Sequence, residues 1–337
     1  MAGVPRLPGG APPEKRLPVS MERVRTGTAP ALRAARRLLK PPPSPFPYTS
    51  PTWPDSVPRE PAERDLGVDY DTDWARRYPA RVARLLLTEV VATPAMAALA
   101  DPQVAGLDRI AHLDGPVVFA ANHASHIDTP LLLSVLPEPW RHRTVVAGAA
   151  DYFFDTKLKA AAFALSINAI PIERLRVSRT SANRAAGLLQ DGWSLLIFPE
   201  GGRSPDGWGQ PHKAGPAWMA VRTGRPIVPI HIEGTRNILP RHSGRIRPGT
   251  THISFGRPIR PVEGDDPREV AARLEAAISA LADEHTTDWW TARKRAAAGT
   301  SPELTGPGGA GAWRRTWALG ERGRRSRRPA GGRWPKL

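Results

Sequence analysis

The chain has 337 residues, enough for one large domain with tails or two of average size, and its 40% hydrophobic content can fill a sizeable core. It contains no Cys, which excludes disulfides, thiolate zinc sites, chain-ligated iron–sulfur clusters and a cysteine nucleophile, and which fits a reducing compartment. Its 48 basic and 32 acidic residues leave a net charge of +16, a balance that favours anionic partners: nucleic acid, an anionic membrane face or phosphorylated substrates.

Residues 1–65 hold 15 of the 38 Pro. Such density interrupts helices and sheet ladders alike, so this segment is expected to be mostly disordered, with one short basic helix around 29–40. The first thirty residues lack an apolar stretch of signal-peptide length, so secretion is not expected. The longest apolar-leaning segment, 82–100, is interrupted by Arg84, Glu89 and Pro94. It falls short of the roughly 20 mainly apolar residues of a spanning helix. Two readings stand for it: an amphipathic surface helix or hairpin arm on a membrane, or a helix packed on the domain.

Residues 66–288 alternate between strand-like and helix-like patterns, the signature of an α/β domain. A buried strand is expected over 116–121, after the Asp114-Gly115 turn, and a helix over 129–136. Further strands are read at 145–147, 194–198, 226–232 and 252–256, with a helix over 181–189 closed by Asp191-Gly192. A final helix opens with Asp266 as N-cap and Pro267 at its first position, and runs to about 284. Residues 289–337 read as a basic tail rich in Gly, Arg and Trp. From 291 onward it carries 12 Lys/Arg against Glu303 and Glu321, interleaved with Trp313, Trp317 and Trp334.

Two polar strings follow directly on apolar strands, where open α/β sheets gather reactive groups. The first is Asn122-His123-Ala124-Ser125-His126-Ile127-Asp128. Asp128 can bend back one turn to hold one ring nitrogen of His123, leaving the other to take a proton. The bland alternative is a surface turn; another is a metal held by His123, His126 and Asp128. Ser125 lacks the surroundings of a nucleophile elbow. The second string is Phe198-Pro199-Glu200-Gly201-Gly202-Arg203-Ser204, in which Arg203 offers a planar fork for phosphate oxygens and Gly allows close backbone approach. Alone it reads equally well as a polar turn with a surface ion pair.

Together the strings resemble the NHX4D and FPEG(T)RS signatures of the glycerolipid acyltransferase family, and most of all the bacterial 1-acyl-glycerol-3-phosphate acyltransferase type. Residues 168–174, ending in Arg174, and 227–230 resemble two weaker blocks of that family, so the likeness covers about 85–260. The resemblance implies a single α/β acyltransferase domain over 66–288, a mixed sheet wrapped by helices with its motif-bearing core at about 115–235, flanked by disordered tails. It implies His123 as general base, Asp128 as its orienting carboxylate, and Arg174, Glu200, Gly201 and Arg203 as acceptor-binding residues, with Lys213 a lesser phosphate candidate. Gly202 stands where the family usually has Thr, Asn168 where it has Gly, and Pro171 where it has an apolar or aromatic residue.

The implied reaction moves an acyl group from acyl-CoA or acyl carrier protein to 1-acyl-glycerol-3-phosphate, giving phosphatidic acid, with no cofactor and no metal. Acylation of another lysophospholipid or lipid alcohol, or a non-catalytic membrane-binding protein, are the alternatives. An anionic membrane surface is the expected partner, met peripherally at the cytoplasmic face. Nucleic acid is not, since no reader motif accompanies the basic tail.

Overall fold

The computed structural model describes residues 67, 69–173, 179–241 and 244–306. The expectations for 1–65, for Arg174 and for the tail beyond 306 lie outside the described residues.

After a single 3-10 turn (Asp73–Arg76), the described residues form a long helix, α1 (Tyr78–Ala100), followed by β1 (Pro102–Ala105), β2 (Val118–Ala121), α2 (Asp128–Val135), β3 (Thr144–Ala149), the short α3 (Ala150–Phe153), α4 (Lys157–Ile167) and β4 (Ala169–Ile172). The second half runs α5 (Arg179–Gln190), β5 (Ser194–Ile197), α6 (Gly215–Thr223), β6 (Ile227–Glu233), α7 (Thr235–Ile238), β7 (Thr251–Phe255), α8 (Pro267–Thr286) and α9 (Trp289–Ala297). Seven strands form one sheet in the order β1-β7-β6-β2-β5-β3-β4. Neighbours are parallel except β6 and β7, which run antiparallel. This is the mixed sheet flanked by helices that the sequence implies.

The central strands are unbroken apolar runs because helices cover both faces of the sheet. The pleat sorts β2 accordingly: Phe119 and Ala121 enter a core with Leu131, Leu132, Ile230 and Phe255, while Val118 and Ala120 enter a core with Leu195, Ile227, Leu274 and Ile278. Asp266 caps α8, its side chain accepting from the N–H of Arg268, and α8 lays Val270, Leu274 and Ile278 on the second face. Two strands had no local signal. β1 is mostly exposed at one sheet edge, and β4 lies at the other, where Pro171 is tolerated because an edge strand needs fewer ladder donors. Asn168, just before β4, has φ 54°, the left-handed conformation that Gly or Asn adopts most readily.

α1 corrects the reading of 82–100. Starting earlier than expected, it is a continuous helix of 23 residues, long and apolar enough by length and composition to cross a membrane. Pro94 does not break it: the chain takes a wider π turn over Leu87–Ala92, placing Pro94 in the first turn of the helix that follows. The helix nevertheless lies against α2 and α4. The face toward the domain carries Ala80, Arg84, Thr88, Met96 and Ala100, and Arg84 Nη1 donates to the carbonyl of Ala75 at 2.9 Å. Glu89 ties the middle of α1 to the domain through Arg141 (3.1 Å) and His142 (3.0 Å). Leu85, Leu86, Val90 and Val91 point outward, and Val90 is 69% exposed. The usual amphipathic arrangement is thus reversed over the first half of the helix.

Residues 289–306 continue the fold beyond 288. Asp288 caps α9 by accepting from the N–H of Thr291, and Arg295 pairs with the buried Asp283 at 2.8 Å. The chain then returns to the 207–210 loop, where Gly209 N–H donates to the Leu304 carbonyl and the Leu304 side chain joins the second core. Gly306 lies so close to the Trp208 ring that a Cβ there would come within 2.4 Å of it. Compositional bias hid this strap, because one buried Leu among Gly and Arg makes no periodic pattern.

Candidate active site

The chain leaves β2 at Ala121, and Asn122 prolongs the sheet with its side chain. Its Nδ2 donates to the Ile232 carbonyl (2.9 Å) and its Oδ1 accepts from the Ile232 N–H (2.7 Å). His123 therefore starts from a fixed point at the carboxyl end of the strand. Its Nδ1 lies 2.8 Å from Asp128 Oδ2, and Asp128 is fully buried at the start of α2. The same oxygen accepts the N–H groups of Ala124 and Ser125, each at 2.8 Å. Three donors on one carboxylate oxygen fold the 123–128 loop around it. A carboxylate there selects the tautomer with hydrogen on Nδ1, which leaves the lone pair on Nε2.

The His123 ring stacks on Phe198 with centroids 4.0 Å apart and planes 17° from parallel. The two strings, distant in sequence, are therefore in contact, since β2 and β5 are neighbours in the sheet. Glu200 is 5% exposed. Its Oε1 accepts the His123 N–H and its Oε2 the Gln210 N–H, both at 2.9 Å. Burial pushes the Glu200 carboxyl up to about 7, against the opposing effect of those two amides.

Gly201 has φ 71°, and a Cβ on it would meet Lys213 Nζ at 2.8 Å. The lesser candidate Lys213 thus lies over the Glu200-Gly201 turn. The Gly201 N–H is itself engaged, donating to the Phe198 carbonyl at 3.0 Å. Gln210 Nε2 braces the turn through the carbonyls of Gly202 and Arg203, both at 3.3 Å. Arg203 acts electrostatically on His126, whose pKa is lowered to about 4, chiefly by burial and next by this guanidinium. His126 is consequently neutral at pH 7, stacked on Tyr152 and 3.1 Å from its hydroxyl. That turns His126 toward Tyr152 while His123 and Asp128 face each other. Ser125 is buried, its hydroxyl donating to the Leu239 carbonyl at 2.9 Å.

The structure thus gathers His123, Asp128, Glu200, Gly201 and Arg203 at the carboxyl ends of β2 and β5. Arg174 lies outside the described residues. Sequence reasoning passed over Asn122, Phe198, Tyr152 and Gln210 as partners. Asn122 and Phe198 were visible as the first letters of the two strings, whereas Gln210 and Tyr152 carry no local signal.

A mixed-sheet α/β domain with a His–Asp pair and an Arg-bearing turn at the carboxyl ends of two neighbouring strands defines a class of fold seen before. The solved 1-acyl-sn-glycerophosphate acyltransferase of Thermotoga maritima is similar, with a TM-score of 0.50 at 24% identity over 66% of this chain and 86% of that one, a likeness of fold. Residues 101–261 match the family described as Acyltransferase. A chloroplastic 1-acyl-sn-glycerol-3-phosphate acyltransferase of Brassica napus is 35% identical over 99 residues, 28% of this chain and 29% of that protein. The 1-acyl-sn-glycerol-3-phosphate acyltransferase of Pseudomonas aeruginosa is 37% identical over 95 residues, 27% of this chain and 36% of that protein. The matched stretches therefore span only about a third of these relatives.

Proposed function

We propose that this protein is an O-acyltransferase that moves a fatty acyl group from acyl-CoA or acyl carrier protein to the free hydroxyl of 1-acyl-glycerol-3-phosphate, giving phosphatidic acid. The observation that carries this reading is the 2.8 Å His123–Asp128 pair set beside the Arg203 turn. His123 Nε2 takes the proton of the acceptor hydroxyl as its oxygen attacks the thioester carbonyl. Asp128 holds the imidazolium that forms. The tetrahedral intermediate collapses with loss of the thiolate, which receives the proton back. Arg203, together with Arg174, holds the acceptor phosphate, and Gly201 lets it approach the backbone. Neither a metal nor a covalent enzyme intermediate is needed for this chemistry.

The acceptor is a lipid, so the enzyme works at a bilayer. The outward face of α1, with Leu86 and Val90 exposed, supports peripheral attachment to the membrane. The basic residues beyond 291 would add attraction to an anionic cytoplasmic leaflet of about 1 kcal/mol each. Burying a large aliphatic side chain is worth about 1.5–3 kcal/mol. The double substitution Leu86→Asp with Val90→Asp is therefore expected to lower vesicle co-sedimentation at least tenfold, with far-UV circular dichroism unchanged. Undiminished binding would remove α1 as the contact.

The reaction is tested with purified protein, vesicle-borne 1-acyl-glycerol-3-phosphate and long-chain acyl-CoA, following thiol release against diacyl product. Matched release and product support the reading. Gly202, which removes a hydroxyl from the turn, directs the next assay to other lysophospholipids and to acyl carrier protein as donor. Silence with all of them rejects the enzyme and favours a membrane-binding protein.

A further inference from the structure

We infer that Glu200 is a positioning residue that fixes the backbone bearing His123, rather than a group that binds the acyl acceptor. This rests on the acyl-transfer reading above and assigns its second acidic residue a different task from the one the motif implies.

Glu200 follows β5 and His123 follows β2, two strands that pair as far as Ala120 and Ile197. Beyond that point the backbones separate, and side chains replace the ladder. Glu200 Oε1 accepts the His123 N–H at 2.9 Å, and the His123 carbonyl accepts the Ser204 N–H at 2.8 Å. The ring face rests on Phe198 at 4.0 Å. The amide, carbonyl and ring of His123 are therefore all held by the 198–204 turn.

The second carboxylate oxygen is spent on the Gln210 N–H at 2.9 Å, and Gln210 in turn braces the carbonyls of Gly202 and Arg203. One carboxylate thus clamps two loops, one carrying the base and one carrying the guanidinium. Such a buried, two-sided acceptor suits a bracket, because each oxygen fixes one backbone amide along a directional hydrogen bond. An acceptor-binding carboxylate would instead need an oxygen facing the substrate, whereas Glu200 is 5% exposed with both oxygens bonded. A general base works only when held near its productive geometry, and a misplacement of about 1 Å can cost about 100-fold in rate.

The test compares Glu200→Ala and Glu200→Gln with the unsubstituted full chain. For Glu200→Ala, kcat is expected to fall about 100-fold, while KM for 1-acyl-glycerol-3-phosphate stays within about twofold. Glu200→Gln is expected to be intermediate, since its amide oxygen still accepts from His123 while its NH2 opposes the Gln210 N–H. A tenfold rise in acceptor KM with kcat retained would overturn the inference in favour of acceptor binding.

A second readout does not depend on turnover. Amide hydrogen exchange at His123 is expected to accelerate at least tenfold in Glu200→Ala, by less in Glu200→Gln, whose oxygen still accepts from that amide, and to stay unchanged in Arg203→Ala. Unchanged protection of His123 in Glu200→Ala would also overturn the inference. Should the unsubstituted protein show no acyl transfer, the acyl-transfer reading fails by itself, and the exchange measurement alone decides whether Glu200 holds the His123 backbone. If Glu200→Ala does not fold, the isosteric Glu200→Gln carries both comparisons.

Discussion

Replacing His123 with Ala is expected to lower the rate of acyl transfer about 10²–10⁴-fold, the usual contribution of a positioned general base. Folding should survive. The ring is partly exposed, at 15% for the side chain, and its packing partner is one stacked Phe198. Losing such a stack costs about 0.5–1.5 kcal/mol beyond the area it buries. The backbone bonds through His123 N–H and C=O need no imidazole and remain in place. The measurement is kcat from thiol release, with a urea melt beside it. Retention of more than a tenth of the activity would rule out His123 as the base.

Asp128 is expected to behave differently, because one oxygen does two jobs. It orients the His123 ring, and it accepts the Ala124 and Ser125 N–H groups in a fully buried setting. Asp128→Ala removes all three bonds, and each buried amide left unpaired costs about 1–3 kcal/mol. Both the rate and the urea midpoint should fall, the rate by about 10²-fold or more as the tautomer and ring position are lost. Asp128→Asn separates the two roles. Its carbonyl oxygen, in the place of Oδ2, can still accept all three donors, but a neutral amide no longer stabilises the imidazolium that forms during proton transfer. It should therefore keep most of the stability and little of the rate. A rate retained in Asp128→Asn would show that the charge of Asp128 is not what matters at this position.

Much of the fold was legible. β2, β5 and β6 announced themselves as buried apolar runs bounded by turns, and α8 as an Asp-Pro start with a helical period. The two polar strings were legible for the same reason: each begins where a strand ends. β1 and β4 were not, since short edge strands make no buried alternation. α6 and α4 are rich in Ala and small residues, a weak periodic signal. The strap through Leu304 was hidden in a segment whose composition reads as tail. At the site, His123 and Asp128 lie five residues apart and could be paired on paper. Glu200 and Gln210 could not, because the atom that Glu200 holds belongs to a residue 77 positions away.

By itself, then, the sequence determined the class of domain, the central strands and the chemical character of the site, since hydrophobic periodicity and motif spacing are local properties of a chain. Which way α1 faces was decided only in three dimensions. A helix with Leu and Val on one side and Ala, Arg and Thr on another has the same periodicity whichever side meets the domain, and Arg84 and Glu89, finding partners at Ala75, Arg141 and His142, turned the polar side inward. The task of Glu200 was decided in the same way. A carboxylate beside two glycines reads as a ligand group until the sheet brings β2 next to β5 and presents two buried amides that must be satisfied.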